Sequence, residues 1–334
     1  MMEQLLRSVP SWTNLAIFFG LGVLLLLVVL GFVTYGILAE RKVMGFMQGR
    51  IGPNQVGGRW GLLQTVADVL KLLIKEDTIP KAADRPLFIL APVIAFAPAF
   101  MVLATLPFTD SLQFADIGVG LLYYIAVSGL STIGVLTGAW ASNNKYALLG
   151  GMRAAAQMIS YEIPLVMSVI GIILLTGSLN LNDIVEAQKH VWYIFIQPIG
   201  FLVFLIASVA ELNRTPFDLP EAESELVAGF HVEYSGFRWA FFMLAEYVYL
   251  FAMASLTTIL FLGGWQPVMF LGFIPGAIWF SLKFSIVVFV LIWFRSTFPR
   301  LRADQLMEFG WKVLLPVALA NIFITALIKT IFFS

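Results

Sequence analysis

Eight long apolar stretches dominate this chain, at roughly residues 14–39, 86–106, 118–140, 156–177, 193–213, 240–262, 275–295 and 311–332. Crossing a lipid hydrocarbon core takes about 20 apolar residues per helix. Lipid offers no partner to unpaired backbone, so spans of this kind must be helical. The pattern predicts an all-α polytopic membrane protein with eight transmembrane helices. Composition agrees, since 60% of the 334 residues are hydrophobic and 12% are charged, against about a quarter charged in a soluble domain. Disorder is excluded on the same ground. The first stretch is too long for a signal-peptide core, and it runs into Glu40-Arg41-Lys42 without a small-residue cleavage site, so it is read as a span. Residues 1–334 read as a single membrane domain. They show no visible internal repeat, which counts against an inverted-repeat transporter.

Charge and residue usage narrow the chemistry. Twenty basic residues balance twenty acidic ones, so nothing points to nucleic acid. The chain has no cysteine, which removes disulfides, thiolate zinc sites, iron–sulfur ligation and cysteine nucleophiles. Its two histidines, His190 and His231, do not suggest a haem pair. No metal site is expected, and any redox metal must sit in another chain.

The basic residues set an orientation. Sixteen of the twenty fall in the first, third, fifth and seventh connections; the others are Arg7, Lys189, Lys329 and Lys283, the last inside a span. The odd-numbered loops are thus expected on the cytoplasmic side, with both termini outside. Those loops include 40–85, an acidic loop at 211–239 and a basic loop at 295–312.

Within the first loop, residues 60–76 carry apolar side chains at helical spacing (62, 63, 66, 69, 70, 73 and 74), with Asp68, Lys71 and Lys75 on the opposite face. A segment so short and charged suits a helix lying in the membrane interface. It serves either as a surface anchor or as one wall of a side opening for a lipid-soluble molecule. The preceding Arg-Lys-Val-Met-Gly-Phe-Met-Gln-Gly-Arg-Ile-Gly-Pro-Asn run suits a tight juxtamembrane loop and lacks a phosphate-loop signature.

Three charges lie where lipid or packed helix is expected: Glu162, Glu246 and Lys283. An ionisable group at that depth costs several kcal/mol unless paired, solvated or neutralised, and it marks a functional site more often than a packing one. Pro164, two residues after Glu162, removes a backbone donor. Lys283 is read either as a relay group or as a partner for one of the carboxylates. Buried carboxylates bind protons near neutrality, so the groups suit proton transfer or, equally, a cation pathway.

The fifth loop concentrates acid. Residues 211–233 hold Glu211, Asp218, Glu221, Glu223, Glu225 and Glu233 against one base, Arg214. Pro216 and Pro220 interrupt any helix there. Clustered carboxylates resist joint ionisation and can store protons. A calcium site is the other use of so many oxygens, but EF-hand spacing is missing.

These residues carry a family resemblance. Ala39-Glu40-Arg41-Lys42, Gly52-Pro53-Asn54, Ala154-Ala155-Ala156-Gln157-Met158-Ile159-Ser160-Tyr161-Glu162, Glu211-Leu212-Asn213-Arg214-Thr215-Pro216-Phe217-Asp218-Leu219, Glu223-Ser224-Glu225-Leu226-Val227 and Phe298-Pro299-Arg300-Leu301-Arg302 resemble the H-subunit family of proton-pumping NADH:quinone oxidoreductase, respiratory complex I. The likeness runs from residue 14 to about 330. It implies a plasma-membrane subunit at the heel of an L-shaped complex, closing a quinone chamber against a hydrophilic arm and contacting antiporter-like and small membrane subunits. Quinone is then the substrate, and flavin and iron–sulfur clusters belong to partner subunits. By position, Arg41 and Asp68 would line the quinone portal, and Arg295 and Arg302 would flank the chamber. Glu162, Glu211, Glu246 and the acidic loop would form a hydrated proton path leading toward Lys283. Two other classes stay open at this point: the matching anchor subunit of a membrane-bound hydrogenase or other dehydrogenase, and a stand-alone ion transporter.

Overall fold

The structure, a computed structural model, describes residues 12–110, 112–220, 226–267 and 273–332. Its regular elements are helical throughout those residues. In chain order they are α1 (Trp12–Met47), α2 (Gln64–Ile74), α3 (Arg85–Met101), α4 (Gly120–Ser128), α5 (Leu130–Ala141), α6 (Lys145–Thr176), α7 (Leu181–Ala187), α8 (Tyr193–Ile196), α9 (Pro198–Glu211), α10 (Gly236–Phe261), α11 (Gly276–Thr297), α12 (Ala303–Glu308) and α13 (Leu315–Phe332). Short 3₁₀ or π turns extend α3, precede α10 and join α12 to α13.

Among the described residues, seven helical stretches are long and apolar enough to cross a membrane: Leu15–Met47, Arg85–Thr105, Gly120–Ala141, Lys145–Thr176, Gly236–Phe261, Gly276–Thr297 and Ala303–Ile331. The expected span at 193–213 is instead a single turn, α8, followed by the fourteen-residue α9. At about 21 Å, α9 alone falls short of a hydrocarbon core of about 30 Å. The break lies at Gln197-Pro198. Proline disfavours helical backbone in the residue before it, and Gln197 sits at φ −127°. Its amide donates to Thr325 Oγ1 at 2.9 Å instead of facing lipid.

The fourth span begins at Lys145, eleven residues before the apolar stretch at 156–177 suggested. Asn144 caps it by accepting from the Tyr146 backbone N–H at 2.9 Å, and Gly177 closes it in the left-handed region. Glu162 thus stands mid-helix.

The chain divides into two compact units, Met1–Val69 and Leu70–Ser334. In the first, α1 is about 54 Å long, well beyond a bilayer core, and its last turns bury Glu40 and Lys42. Lys42 Nζ donates to the Ile51 carbonyl at 3.2 Å, which folds the following loop back on the helix. Gly61 has φ +66°, and a Cβ there would lie 2.4 Å from the Pro53 carbonyl oxygen, so only glycine fits. Amphipathic order begins at Gln64 instead of residue 60, and Val66, Val69, Leu70, Leu73 and Ile74 of α2 are exposed.

In the second unit, α10 is the most enclosed span. Small residues let backbones meet: a Cβ on Gly134 of α5 would lie 2.5 Å from the Ala95 nitrogen of α3. Phe88, Ala91, Ala95, Val135, Ala139, Phe230, Tyr234 and Phe242 form a core at this crossing. There the Phe88 and Tyr234 rings stack 4.1 Å apart.

Candidate functional site

The turn that follows α9 organises the site. Its residues Glu211 to Asp218 leave the helix through Asn213, a non-glycine at φ +51°, and fold against α6 and α10. Arg214 is 2% exposed. Burying a guanidinium requires a matched anion, and α10 supplies it: Arg214 Nε donates to Glu246 Oε1 at 2.9 Å. The guanidinium also lies 4.6 Å from the Tyr247 ring centroid. Arg295, in the last turn of α11, approaches the same Glu246 oxygen at 4.0 Å. Glu246 therefore joins the turn to the end of α11.

Beside this pair lies a cavity of about 70 Å³ lined by Glu211, Asn213, Glu246, Tyr249 and Ser131 among apolar walls that include Met158, Met243 and Phe230. A water needs about 10–15 Å³ of such space, so several fit. Glu211 Oε2 is buried without a hydrogen-bond partner among the described residues. Leaving it dry would cost about 1–3 kcal/mol or more, and cavity water can supply the missing donors.

Glu162 is half-buried on α6. Its Oε1 would lie 3.1 Å from a Cβ on Gly129, the residue at which α4 gives way to α5. Around this break Ser128 Oγ donates to the Ile125 carbonyl, while Ser131 Oγ and the Tyr249 hydroxyl both donate to the Ser128 carbonyl. A polar seam thus runs from Gly129 toward the cavity wall, with Tyr249 and Ser131 common to both.

Asp218 is buried and accepts from Arg300 Nη2 at 2.8 Å. Burial pushes its carboxyl up; the nearby Arg300 and Arg295 guanidinium groups pull it down and do not fully offset burial. Arg295 thus acts on both Glu246 and Asp218, linking the fifth and seventh loops. Glu233 accepts from Asn144 Nδ2 at 2.6 Å. Glu221, Glu223 and Glu225 lie outside the described residues. His231 packs edge-on against Phe230 and Trp239, and burial pushes its imidazole down to about 4.

The other expected residues lie in different settings. Arg41 and Asp68 form an ion pair at 2.5 Å within the first unit. Arg302 pairs with its neighbour Asp304, and its side chain is 77% exposed. Lys283 donates to three carbonyls, Leu262 at 2.6 Å, Gly264 at 3.0 Å and Gln266 at 2.7 Å, with Nζ 4.2 Å from the Trp192 ring centroid. Those bonds account for the three hydrogens of an ammonium group.

A second pocket, apolar and about 560 Å³ in volume, lies among Leu202, Ile206, Pro216, Phe217, Phe294, Phe298 and Gln305. The turn separates the two spaces: Glu211, Leu212 and Asn213 face the small cavity, and Pro216 and Phe217 face the large pocket.

Sequence reasoning passed over Arg214 as the partner of Glu246, Tyr249 and Asn213 as cavity walls, and Gln157. The one base in an acidic run and a lone amide inside an apolar helix were signals available for two of them.

Comparison with known proteins gives the family of the chain. The NADH dehydrogenase family matches residues 21–326. The chain is 89% identical to the H subunit of NADH-quinone oxidoreductase from Anoxybacillus flavithermus, and 87% identical to the protein of the same description from a Geobacillus strain. It is 84% identical to that of Bacillus thuringiensis, and each alignment covers all of both chains. The chain belongs to the NADH dehydrogenase family, among the H subunits of NADH-quinone oxidoreductase.

Proposed function

We propose that this subunit forms the quinone portal and chamber and couples quinone reduction to proton translocation through its buried carboxylates. The observation that carries the reading is the water-sized cavity bounded by Glu211 and Glu246. Reducing a quinone consumes protons and transiently places negative charge in a confined space. In a low-dielectric setting, charges a few ångströms apart interact by several kcal/mol. Glu246, held between Arg214 and Arg295, would feel such a charge. A shift in its pairing would reach Asp218 through Arg295, and Glu211 and Glu162 through the cavity and the seam at Gly129. Glu221, Glu223 and Glu225 complete the acid store in this reading. Lys283 is its outer end, with a carbonyl-bound cation in place of a carboxylate pair. Arg41 and Asp68 line the portal, and Arg295 and Arg302 flank the chamber.

In the membrane, the reading takes α8 and α9 together as an eighth span, with α2 lying in the interface and its exposed apolar face in lipid. The basic odd-numbered loops face the cytoplasm, where they dock the hydrophilic arm that holds flavin and iron–sulfur clusters. Both termini face outward from the plasma membrane, and antiporter-like subunits adjoin the chain.

The test is Glu246→Gln in membrane vesicles carrying the whole complex. NADH-driven quinone reduction and proton uptake, each measured per assembled complex, should slow together. Full pumping by the variant would remove the proposal.

A further inference from the structure

Besides the Arg214–Glu246 and Arg300–Asp218 pairs, one uncharged side chain binds the turn carrying Glu211 and Arg214. Gln157, on α6 and 1% exposed, donates from Nε2 to the Ala210 carbonyl at 2.8 Å and to the Phe217 carbonyl at 2.7 Å. It also reaches Asn213 Oδ1 at 3.1 Å. Those acceptors are the residue just before the turn, its third residue and its last but one. Asn213 is also where the backbone takes its left-handed step. An amide has only two N–H hydrogens for these three oxygens, so the amide is fully engaged on the turn. Its own Oε1 has no hydrogen-bond partner among the described residues.

We infer that Gln157 is a positioning residue of this site: with the two ion pairs it fixes the turn that carries Glu211 and Arg214 and walls the polar cavity off from the apolar pocket. The inference rests on the proposed function, because positioning matters to turnover only if the cavity carboxylates take part. Gln157 touches neither Glu211 nor Glu246 side chains through any of these bonds; it acts through the backbone that bears them. Displacing the turn would move Glu211 relative to the cavity and Arg214 relative to Glu246 in one step. Misplacement of this kind is known to slow reactions by as much as about a hundred-fold.

The experiment compares Gln157→Leu and Gln157→Glu in vesicles carrying the whole complex, following NADH-driven quinone reduction against pH. Electron transfer to an artificial acceptor that takes electrons ahead of quinone serves as the measure of an assembled donor arm. Gln157→Leu removes the donors and should lower quinone reduction by between about ten-fold and a hundred-fold at every pH, with artificial-acceptor activity unchanged. In Gln157→Glu a protonated carboxyl still donates one hydrogen bond, whereas an ionised one only repels the carbonyl oxygens. Its rate should therefore fall as pH rises over an interval in which the parent rate is steady. A Q157L complex with the parent's rate overturns the inference. So does a Q157E rate that does not respond to pH in this way, and that measurement decides alone if Q157L does not assemble. The two readings separate cleanly. If Glu246→Gln pumps fully while Q157E acquires the new pH dependence, the proton relay falls and the clamp stands. A slow Glu246→Gln beside an unaffected Gln157 pair leaves the relay and removes the clamp.

Discussion

Replacing Arg214 with methionine should destabilise the subunit through Glu246, and removing both charges should largely undo the damage. Arg214 is almost fully buried and its Nε lies 2.9 Å from a carboxylate whose side chain is 19% exposed. Breaking a buried ion pair from one side typically costs about 3–5 kcal/mol, because the remaining charge is left uncompensated. Two features reduce that here. Glu246 keeps some exposure, and Arg295 remains 4.0 Å from the same oxygen. We therefore expect about 2 kcal/mol for Arg214→Met. If the pair is lost before the barrier to dissociation, that is about a 30-fold faster loss of intact complex at fixed temperature. The double variant Arg214→Met with Glu246→Gln also removes the uncompensated carboxylate and should recover at least half of the difference. The assay heats the purified complex in mild detergent and follows the intact fraction by size-exclusion chromatography, which does not depend on turnover. A single Arg214→Met variant as durable as the parent would refute the reasoning. A double variant whose losses simply add would show that the two residues are not coupled.

Three further outcomes are expected. Burial holds the His231 imidazole near 4, below its ordinary 6.5, so its contribution to stability is complete above about pH 6.5 and is lost as pH falls toward 4; the full loss is about 3 kcal/mol. His231→Phe should flatten the acid side of the complex's heat-stability profile, and an unchanged profile would count against a neutral buried ring. Lys283→Met strands the Leu262, Gly264 and Gln266 carbonyls and should lower the dissociation temperature; protons pumped per NADH by the surviving complex then tell whether Lys283 also relays charge. Gly134→Val forces side-chain carbon into the Ala95 backbone, at 2.5 Å for the first added atom, and should cost about 1–3 kcal/mol or more, read as reduced yield of assembled complex.

Hydropathy alone located nearly all of the membrane helices, because lipid imposes its demand on each segment separately. It failed where neighbours replaced lipid. Residues 145–155 carry Lys145, Arg153, Gly150 and Gly151, too polar and too small to read as a span. Yet Gly151 packs so closely on Ala139 that a Cβ would lie 2.2 Å from that methyl. At 193–213, Pro198 was visible, but the Thr325 hydroxyl that takes up the Gln197 amide lies 128 residues away.

The site divides in the same manner. A carboxylate inside an apolar run announces itself, so Glu162, Glu246 and the acidic loop stood out from the residues, and the family resemblance pointed to Arg41, Asp68, Arg295 and Arg302. What each acid faces was not legible. Arg214 meets Glu246 across 32 residues, Arg300 meets Asp218 across 82, and Gln157 reaches Phe217 across 60. Lys283, which the residues left free to pair with an acid, found carbonyls from the loop after α10. The chain itself dictated which segments leave water and which charges go with them, since transfer into lipid depends on local composition. Only the packed helices decided which charges meet and where water can stand beside them, since pairing and hydration depend on distances of a few ångströms between segments far apart in sequence.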